Sequence, residues 1–278
     1  MHLTPLSRML LLGIPVVFLL TFFGAPIFVM LDSSLHPNGE GMSFEVYAKV
    51  LSSNYYLSTL IGTLLLAIKV TLVTIPLGYA IAYFIVMKLK SKLGKRLAYL
   101  VVILPLFTSN IVRALGFIIL LGRKGLVNES LLDMELINSP IQFLYSELGV
   151  VIGLSYIFTP FMALSIAGAL QGIDKSLLQA SDDLGANRLI AFYKITLPLS
   201  LPGILAGSII VTALSVSAYV TPSVMFGGKG AVMSMLIYEQ YISALDYPLG
   251  AALAIILMTI TLLLIGSYSL LFERGRKG

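Results

Sequence analysis

Cysteine and tryptophan are absent from this sequence, and charged residues are scarce. The chain of 278 residues contains no Cys and no Trp, and only 11% of it is Asp, Glu, Lys or Arg. Soluble domains carry about 25% charged residues. Because the chain is also 58% hydrophobic, it is predicted to be an integral membrane protein with nearly all its mass in the bilayer. The absence of Cys excludes disulfides, thiolate metal sites and cysteine nucleophiles.

Catalytic and nucleotide-binding motifs are missing as well. The two histidines, His2 and His36, do not assemble a metal cluster with any neighbouring ligand pattern. The glycine-rich stretch Gly227–Gly230 lacks the Gly-Lys-Ser/Thr ending of a phosphate-binding loop, and no such loop occurs elsewhere. The chain is therefore predicted not to hydrolyse ATP by itself, and an intramembrane enzyme would need a nucleophile–base or metal constellation that the sequence lacks. The net charge of +5 lies in loops between apolar runs, so no nucleic-acid partner is expected.

Six apolar runs are long enough to cross a hydrocarbon core of about 30 Å. The sequence thus predicts an all-α membrane protein forming one domain over 1–278. The runs cover residues 9–31, 57–87, 97–121, 148–170, 197–220 and 248–272. The first run could also be a signal peptide because Arg8 precedes it. Its length and the lack of a small-x-small cleavage site favour a retained span.

Basic residues are distributed unevenly between the two sets of loops. Six spans place both termini on one side, and cytoplasmic loops are enriched in Lys and Arg. Four bases lie in one set of loops, namely Lys49, Arg123, Lys124 and Lys229. The other set holds Arg8, Lys88, Lys90, Lys92, Lys95, Arg96, Lys175, Arg188, Lys194, Arg274, Arg276 and Lys277. This asymmetry predicts cytoplasmic termini and a cytoplasmic loop at 171–196.

The loop 171–196 and its continuation to Pro202 form the polar stretch around which the chain is organised. Ser176 precedes Gln179 by three residues, the spacing of a capping box, so a helix is predicted to begin at Ser176. Gly185 can supply the left-handed residue that ends it. Asn187 can cap a second short helix through Lys194, which the Leu197-Pro198 step would close. Residues 171–196 are called the coupling segment below, after the loop that they resemble.

The segment resembles the cytoplasmic coupling loop of ABC-importer permeases. That family's pattern is Glu-Ala-Ala, three residues, Gly, nine residues, then Ile, any residue and Leu-Pro. Here Gln179-Ala180-Ser181 precedes Gly185 by the same interval, and Ile195-Thr196-Leu197-Pro198 follows nine residues later. Gln179 and Ser181 depart from the pattern. The resemblance implies that the ATPase-docking residues are Ser176, Leu177, Gln179, Ala180, Ser181, Asp182, Asp183, Leu184, Gly185 and Pro198.

The same resemblance implies a set of partners. A permease of this kind lies in the bacterial inner membrane as a multi-pass protein, surrounded by lipid. It works with a cytoplasmic ABC ATPase dimer, a periplasmic substrate-binding protein and a second permease subunit, more often a different one than a copy of itself. The chain would bind no cofactor, because ATP and Mg would be held by the ATPase.

Further stretches resemble the spermidine/putrescine permease subfamily. These are Leu104–Phe107 with Asn110 and Arg113, Lys124–Asn128, and Tyr156-Ile157 followed by Pro160–Met162. Relatives of that subfamily carry opines, phosphonates, metal chelates or other small solutes, so the resemblance implies the mechanism more firmly than the substrate. The expected function is ATP-driven import of a small polar solute, with a polyamine as the expected substrate. The alternative is a secondary transporter or channel without an ATPase, which would be expected to show buried ionisable relays or inverted repeats.

Two charges fall inside predicted spans. In a straight helix Arg113 would lie about 24 Å beyond Leu97, in the outer third of the membrane. It could snorkel or bond a backbone carbonyl, or it could line the translocation path. Lys69 is interpreted as a snorkelling or subunit-interface residue. The candidate substrate path consists of Thr108, Asn110, Arg113, Tyr156 and Tyr219. The rings of these two tyrosines, and those of Tyr79 and Tyr83 outside the path, could offer aromatic faces to a cation or could simply pack between helices.

Overall fold

Helices make up the regular structure throughout the part of the chain that is described. The structure is a computed structural model that describes residues 13–37, 39, 41–228 and 230–276, and no strand occurs among them. In chain order the helices are α1 (Gly13–Leu35), α2 (Glu45–Ser52), α3 (Asn54–Lys88), α4 (Lys92–Phe107), α5 (Asn110–Leu121), α6 (Leu126–Asp133), α7 (Glu147–Gln171), α8 (Lys175–Asp183), α9 (Arg188–Ser217), α10 (Val220–Phe226), α11 (Met233–Glu239) and α12 (Tyr247–Arg276).

Five of these helices are long and apolar enough to span a membrane, and a sixth span arises if the bent pair α4–α5 is taken as one. The predicted first span begins at residue 9, and its first four residues lie outside the described part of the chain. The all-α membrane class predicted from composition is confirmed. The chain divides by contacts into two compact units, Met1–Ser58 with Leu236–Ile260 and Thr59–Met235 with Thr261–Gly278. The single domain over 1–278 stays a prediction.

The unit that contains α1 is built from separate apolar segments. The spanning stretch of α1 has none of its residues buried, as expected for a helix surrounded by lipid. The helix α2 is held to the end of α1 by a hydrogen bond between the hydroxyls of Tyr47 and Ser34, 2.7 Å apart. At the start of α12 the Asp246 carboxylate accepts from the backbone N–H of Leu249 at 3.1 Å, which caps that helix.

The core of the second unit is the contact between α7 and α9. Along α9, Gly203 and Gly207 are four residues apart and turn the same bare backbone surface toward α7. A Cβ on Gly203 would lie 2.7 Å from the Ser165 carbonyl oxygen, and one on Gly207 would lie 2.6 Å from Met162 Sδ. From the other side, a Cβ on Gly78 of α3 would meet Met162 Cγ at 2.6 Å. Small residues at these positions let the helix backbones approach closely. Because lipid is as apolar as the side chains, the hydrophobic effect does not drive helices together in a membrane, and close packing of this kind does so instead.

The third predicted span, 97–121, is not a straight helix. Helix α4 and the segment Asn110–Asp133, which comprises α5 and α6, meet at an angle of 96°, and the linking residue Thr108 is extended. The last turn of α4 tightens to a 3-10 helix that contains Pro105, whose ring cannot continue the α-helical bonding. Hydropathy alone did not reveal this break because both arms are apolar.

The glycine-lined contact between α7 and α9 leads to a stability prediction. Gly203→Ala should lower the free energy of unfolding by about 1–3 kcal/mol, because the added methyl group must displace the backbone of α7. The matched control is Gly168→Ala on α7, where a Cβ has nothing within 4 Å. The measurement is the melting temperature of each purified variant in detergent, followed by size-exclusion chromatography. Equal melting temperatures for Gly203→Ala and Gly168→Ala would contradict the close contact.

Candidate functional site

The first helix of the coupling segment, α8, begins one residue before the predicted cap. Asp174, not Ser176, is the N-cap: its carboxylate accepts from the backbone N–H of Ser176 at 2.9 Å. That backbone hydrogen bond lowers the pKa of Asp174 below its usual value. The cap is therefore fully formed at neutral pH, and its contribution is lost only as the pH falls through the lowered pKa. The predicted capping box, with Ser176 as the N-cap, is wrong. Asp174 caps the helix instead, and Ser176 lies inside the first turn.

The end of α8 follows the prediction. Gly185 has φ +75°, and two backbone bonds close the turn, from Gly185 N to Asp182 O and from Ala186 N to Ser181 O, each 2.9 Å. This pair of bonds is the Schellman motif, in which the residue after the helix is left-handed. A Cβ on Gly185 would have nothing within 4 Å. Glycine is thus required there by its backbone conformation and not by lack of space.

Between these ends, α8 presents an apolar face without a described partner. Leu177, Ala180 and Leu184 follow at spacings of three and four, so they share one side of the helix, and all three are exposed, Leu184 to 88%. Ser181, four residues after Leu177, lies at the edge of this face and is only 7% exposed; its hydroxyl donates to the Leu178 carbonyl at 3.1 Å. Serine can therefore replace the family's third alanine, because it is small and its hydroxyl is satisfied locally. Gln179, Asp182 and Asp183 are exposed.

The second half of the coupling segment is the start of a longer helix. Asn187 accepts from the backbone N–H of Ile190 at 2.8 Å, so the predicted cap is confirmed. The predicted short helix through Lys194 is wrong, since α9 runs without interruption from Arg188 to Ser217. A π turn at Phe192–Thr196 precedes Pro198, and the Leu197 N–H bonds to the Phe192 carbonyl, five residues back. The wider turn changes the bonding just before Pro198, where proline has no N–H to donate.

An aromatic cluster joins this π turn to α3. The Phe192 ring lies edge-on to Tyr79 and Tyr83, with ring centroids 5.6 and 5.7 Å apart. The Tyr79 hydroxyl is also within 3.0 Å of Ser200 Oγ on α9. Tyr79 and Tyr83 thus pack between helices, and nothing in the sequence pointed to Phe192 as their partner.

The candidate substrate path is centred on the break between α4 and α5. The guanidinium of Arg113 donates from Nε to Thr108 Oγ1 at 3.1 Å, from Nη1 to Asn110 Oδ1 at 3.2 Å and from Nη2 to the Thr108 carbonyl at 2.8 Å. Nη2 also bonds the Pro105 carbonyl. The structure therefore brings Thr108, Asn110 and Arg113 together. Arg113 supplies a donor to the Thr108 carbonyl at the break and adds one to the Pro105 carbonyl, which also accepts from the Thr108 N–H and hydroxyl. A backbone carbonyl without a donor would be costly in a membrane interior.

The two tyrosines of the candidate path lie on or directly before helices that pack against α5. In the part of the chain that is described, no hydrogen bond or ring contact joins Tyr156 to the three residues brought together at the break. Tyr156 of α7 meets Phe117 edge-on at 5.4 Å, one turn along α5 from Arg113. Tyr219 directly precedes α10, which packs against both α5 and α7. Asn128, from the stretch that resembles the polyamine subfamily, is buried and bonds the backbone of Gly122 and Ile141. Its amide anchors the loop that follows α5.

The second charge in a predicted span has a partner that the sequence did not indicate. Lys69 Nζ lies 2.6 Å from Glu147 Oε1 at the start of α7, and both side chains are about half exposed. Exposed pairs of this kind contribute about 0–1 kcal/mol. The contact neutralises Lys69 where α3 meets the beginning of α7.

The role of Arg113 at the break generates a testable prediction. Arg113→Gln should loosen the 96° bend, because the Thr108 carbonyl loses its guanidinium donor and a carbonyl left without a donor costs about 1–3 kcal/mol. The chain has no native Cys, so spin labels at Leu100→Cys and Ile119→Cys report the distance between α4 and α5 without background. We expect a broader distance distribution in Arg113→Gln and an unchanged one in the control Arg123→Gln. A distribution identical to that of the parent protein would show that Arg113 does not hold the bend.

Comparison with known proteins agrees with this arrangement. Residues 74–277 match the family described as binding-protein-dependent transport system inner membrane component. The chain is 35% identical over 211 residues to the spermidine/putrescine transport system permease protein PotB of Escherichia coli K12, covering 76% of each protein. It is 30% identical over 280 residues to the putative 2-aminoethylphosphonate transport system permease protein PhnU of Salmonella typhimurium LT2, covering 99% of this chain and 94% of that protein.

Solved structures share the fold. A bacterial ABC transporter involved in the import of the acidic polysaccharide alginate superposes with a TM-score of 0.76 at 20% identity, covering 96% of both chains. The structure of the alginate transporter in complex with an alginate pentasaccharide-bound periplasmic protein gives 0.75 at 19% identity, again covering 96% of both chains. The predicted importer-permease fold and multi-pass inner-membrane location are thereby confirmed. The chain belongs to the family of binding-protein-dependent transport system inner membrane components, the permeases of ABC importers.

Proposed function

We propose that this permease moves a small primary amine, with a polyamine such as spermidine or putrescine as substrate, into the cytoplasm by alternating access. The observation that carries the mechanism is α8, whose exposed apolar face ends in the left-handed Gly185. A cytoplasmic ATPase dimer grips this face, binds ATP and Mg, and closes. The motion passes through Phe192 to α3 and through the continuous α9 to the spans.

The assembly around this chain follows from the same proposal. A periplasmic binding protein delivers the solute to the outer face, and a second, different permease subunit completes the path. This assignment places both termini and α8 on the cytoplasmic side, in agreement with the distribution of Lys and Arg between the loops. ATP hydrolysis belongs to the partner, because the chain contains no phosphate-binding loop.

Two observations support an amine as the substrate. Spermidine, putrescine and 2-aminoethylphosphonate, named in the relatives PotB and PhnU, all carry a primary ammonium group. In addition, all three guanidinium nitrogens of Arg113 donate to oxygen atoms within the helix break. Arg113 therefore has little capacity left to bind a phosphonate, which favours a polyamine over the zwitterion.

The coupling assignment predicts the effect of changes at Gly185. Gly185→Val should reduce co-purification of the ATPase by roughly tenfold, because a β-branched residue costs about 1–2 kcal/mol in the left-handed conformation and 1.4 kcal/mol is tenfold in binding. Gly185→Asn is the matched control, since asparagine tolerates this conformation. Ala180→Asp should abolish binding of the ATPase, because it places a charge in the apolar contact. Gln179→Glu should be tolerated, because it restores the family's usual residue. Normal ATPase binding in both Gly185→Val and Ala180→Asp would rule out α8 as the docking element.

The substrate assignment predicts a selective response of the assembled importer. In proteoliposomes that contain both permeases, the ATPase and the cognate binding protein, spermidine or putrescine should stimulate ATP hydrolysis several-fold. Equimolar 2-aminoethylphosphonate should leave the basal rate unchanged. The reverse order of stimulation would reject the polyamine and leave the coupling mechanism intact.

A further inference from the structure

An apolar groove lies on the surface between α3 and α4. It is lined by Ala80, Ile81, Phe84 and Ile85 of α3 and by Ala98, Val101 and Val102 of α4. The groove has a volume of about 450 Å³, and its walls carry almost no polar atoms. Phe84 and Val101 are 55% and 69% exposed, so the groove is open along one side. Both walls belong to helices that span or enter the membrane.

A cluster of positive charge stands at one end of this groove. The hairpin that joins α3 to α4 carries five bases and no acid between residues 88 and 96. Lys88 follows Ile85 by three residues on α3. On α4, Lys95, Ala98 and Val102 follow one another at spacings of three and four, which places Lys95 on the groove side of the helix. Lys92, six residues before Ala98, does not share that side. At 1.5 Å per residue, Lys88 and Lys95 stand about 5 Å beyond the apolar lining.

The charges in this cluster are not neutralised by the described part of the protein. Among the described residues, the two ion pairs are His36 with Asp32 and Lys69 with Glu147, and neither involves any of the five bases. The Lys88 ammonium lies 5.8 Å from the centre of the Tyr83 ring, and Lys95 donates to the Val86 carbonyl at 3.0 Å. These contacts orient two lysines beside the groove and leave their positive charge without a counter-ion.

We infer that the groove binds an anionic phospholipid, with an acyl chain between α3 and α4 and the phosphate among the lysines at the hairpin. An open apolar groove that ends at a cluster of ammonium groups matches the two parts of such a lipid. Orientation in the membrane requires only that bases lie on one side. The positioning of Lys88 and Lys95 at the end of an apolar groove is a further feature, and basic pockets beside membrane helices recognise anionic head groups. The inference does not depend on the substrate or on the ATPase.

The lipid also fits the mechanics of the segment. The groove is formed in part by the π turn Phe84–Lys88 at the end of α3, directly after Tyr83, which packs on Phe192. An acyl chain in the groove would therefore support the end of α3 that receives movement from the coupling segment. Anionic lipid is expected to stabilise this joint.

The test is native mass spectrometry of the full-length chain in detergent, titrated with dioleoylphosphatidylglycerol and, separately, with dioleoylphosphatidylcholine. We expect preferential binding of the glycerol lipid. Each base near the membrane surface strengthens the binding of an anionic lipid about fivefold, so Lys88→Gln with Lys95→Gln should weaken that binding by roughly 25-fold. The matched control removes two exposed bases from the other set of loops, Lys49→Gln with Lys124→Gln, and should leave it unchanged. Equal loss in both double variants, or equal binding of the two lipids, would overturn the inference.

A second variant examines the apolar groove without changing charge. Ala98→Phe should fill the groove and reduce phosphatidylglycerol binding about tenfold, whereas Ile119→Phe, at an exposed position on α5, should not. This pair keeps the test decisive if the lysine variants fail to insert. In the assembled importer, a photo-reactive label on Val101→Cys should cross-link to lipid. Cross-linking to a protein subunit instead would show that a polypeptide covers the groove and would refute the lipid site.

Discussion

The close contact of α7 with α9 and α3 is the constraint on which the second unit depends. Gly203, Gly207 and Gly78 present bare backbone to the same part of α7, around Met162 and Ser165. Between lipid-embedded helices the hydrophobic effect gives little net attraction, so dispersion across such close contacts has to hold the helices together. The α9 helix is also continuous with the second half of the coupling segment. Under the proposed coupling mechanism, displacement of the coupling segment would reach α7 through this close contact with α9.

The break between α4 and α5 shows how a polar side chain permits an irregular backbone within the membrane. Pro105 ends regular bonding in α4, and the carbonyls of Pro105 and Thr108 both accept from Arg113. The charge of Arg113, which hydropathy counts as unfavourable in a span, is thus shared among several hydrogen bonds. The five donors of a guanidinium suit this role, whereas a lysine at the same place would offer only a point charge.

The coupling segment combines a rigid boundary with an incomplete surface. Asp174 and Gly185 define the two ends of a nine-residue helix. A helix so short is marginal in water without packing, yet its apolar residues Leu177, Ala180 and Leu184 are exposed. The caps stabilise the helix in the isolated chain, and the exposed face is left for another surface to bury. Phe192 ties the same region to Tyr79 and Tyr83, so docking at α8 would be felt at the inner end of α3.

The sequence by itself determined the membrane class, the approximate spans, the left-handed Gly185 and the spacing that marks the coupling segment. These depend on composition, on local conformational preference and on short-range spacing, all of which act within a few turns of chain. It misjudged the cap at Asp174, where neighbouring side chains compete for the same backbone groups. It also misjudged the straightness of the third span and predicted a short helix ending at Lys194, where α9 in fact continues to Ser217. The pairing of Lys69 with Glu147, the packing of Phe192 and the bonding of Arg113 to the Pro105 carbonyl were decided by tertiary structure. Such contacts depend on the angle and distance at which whole helices meet, and only the folded chain sets those.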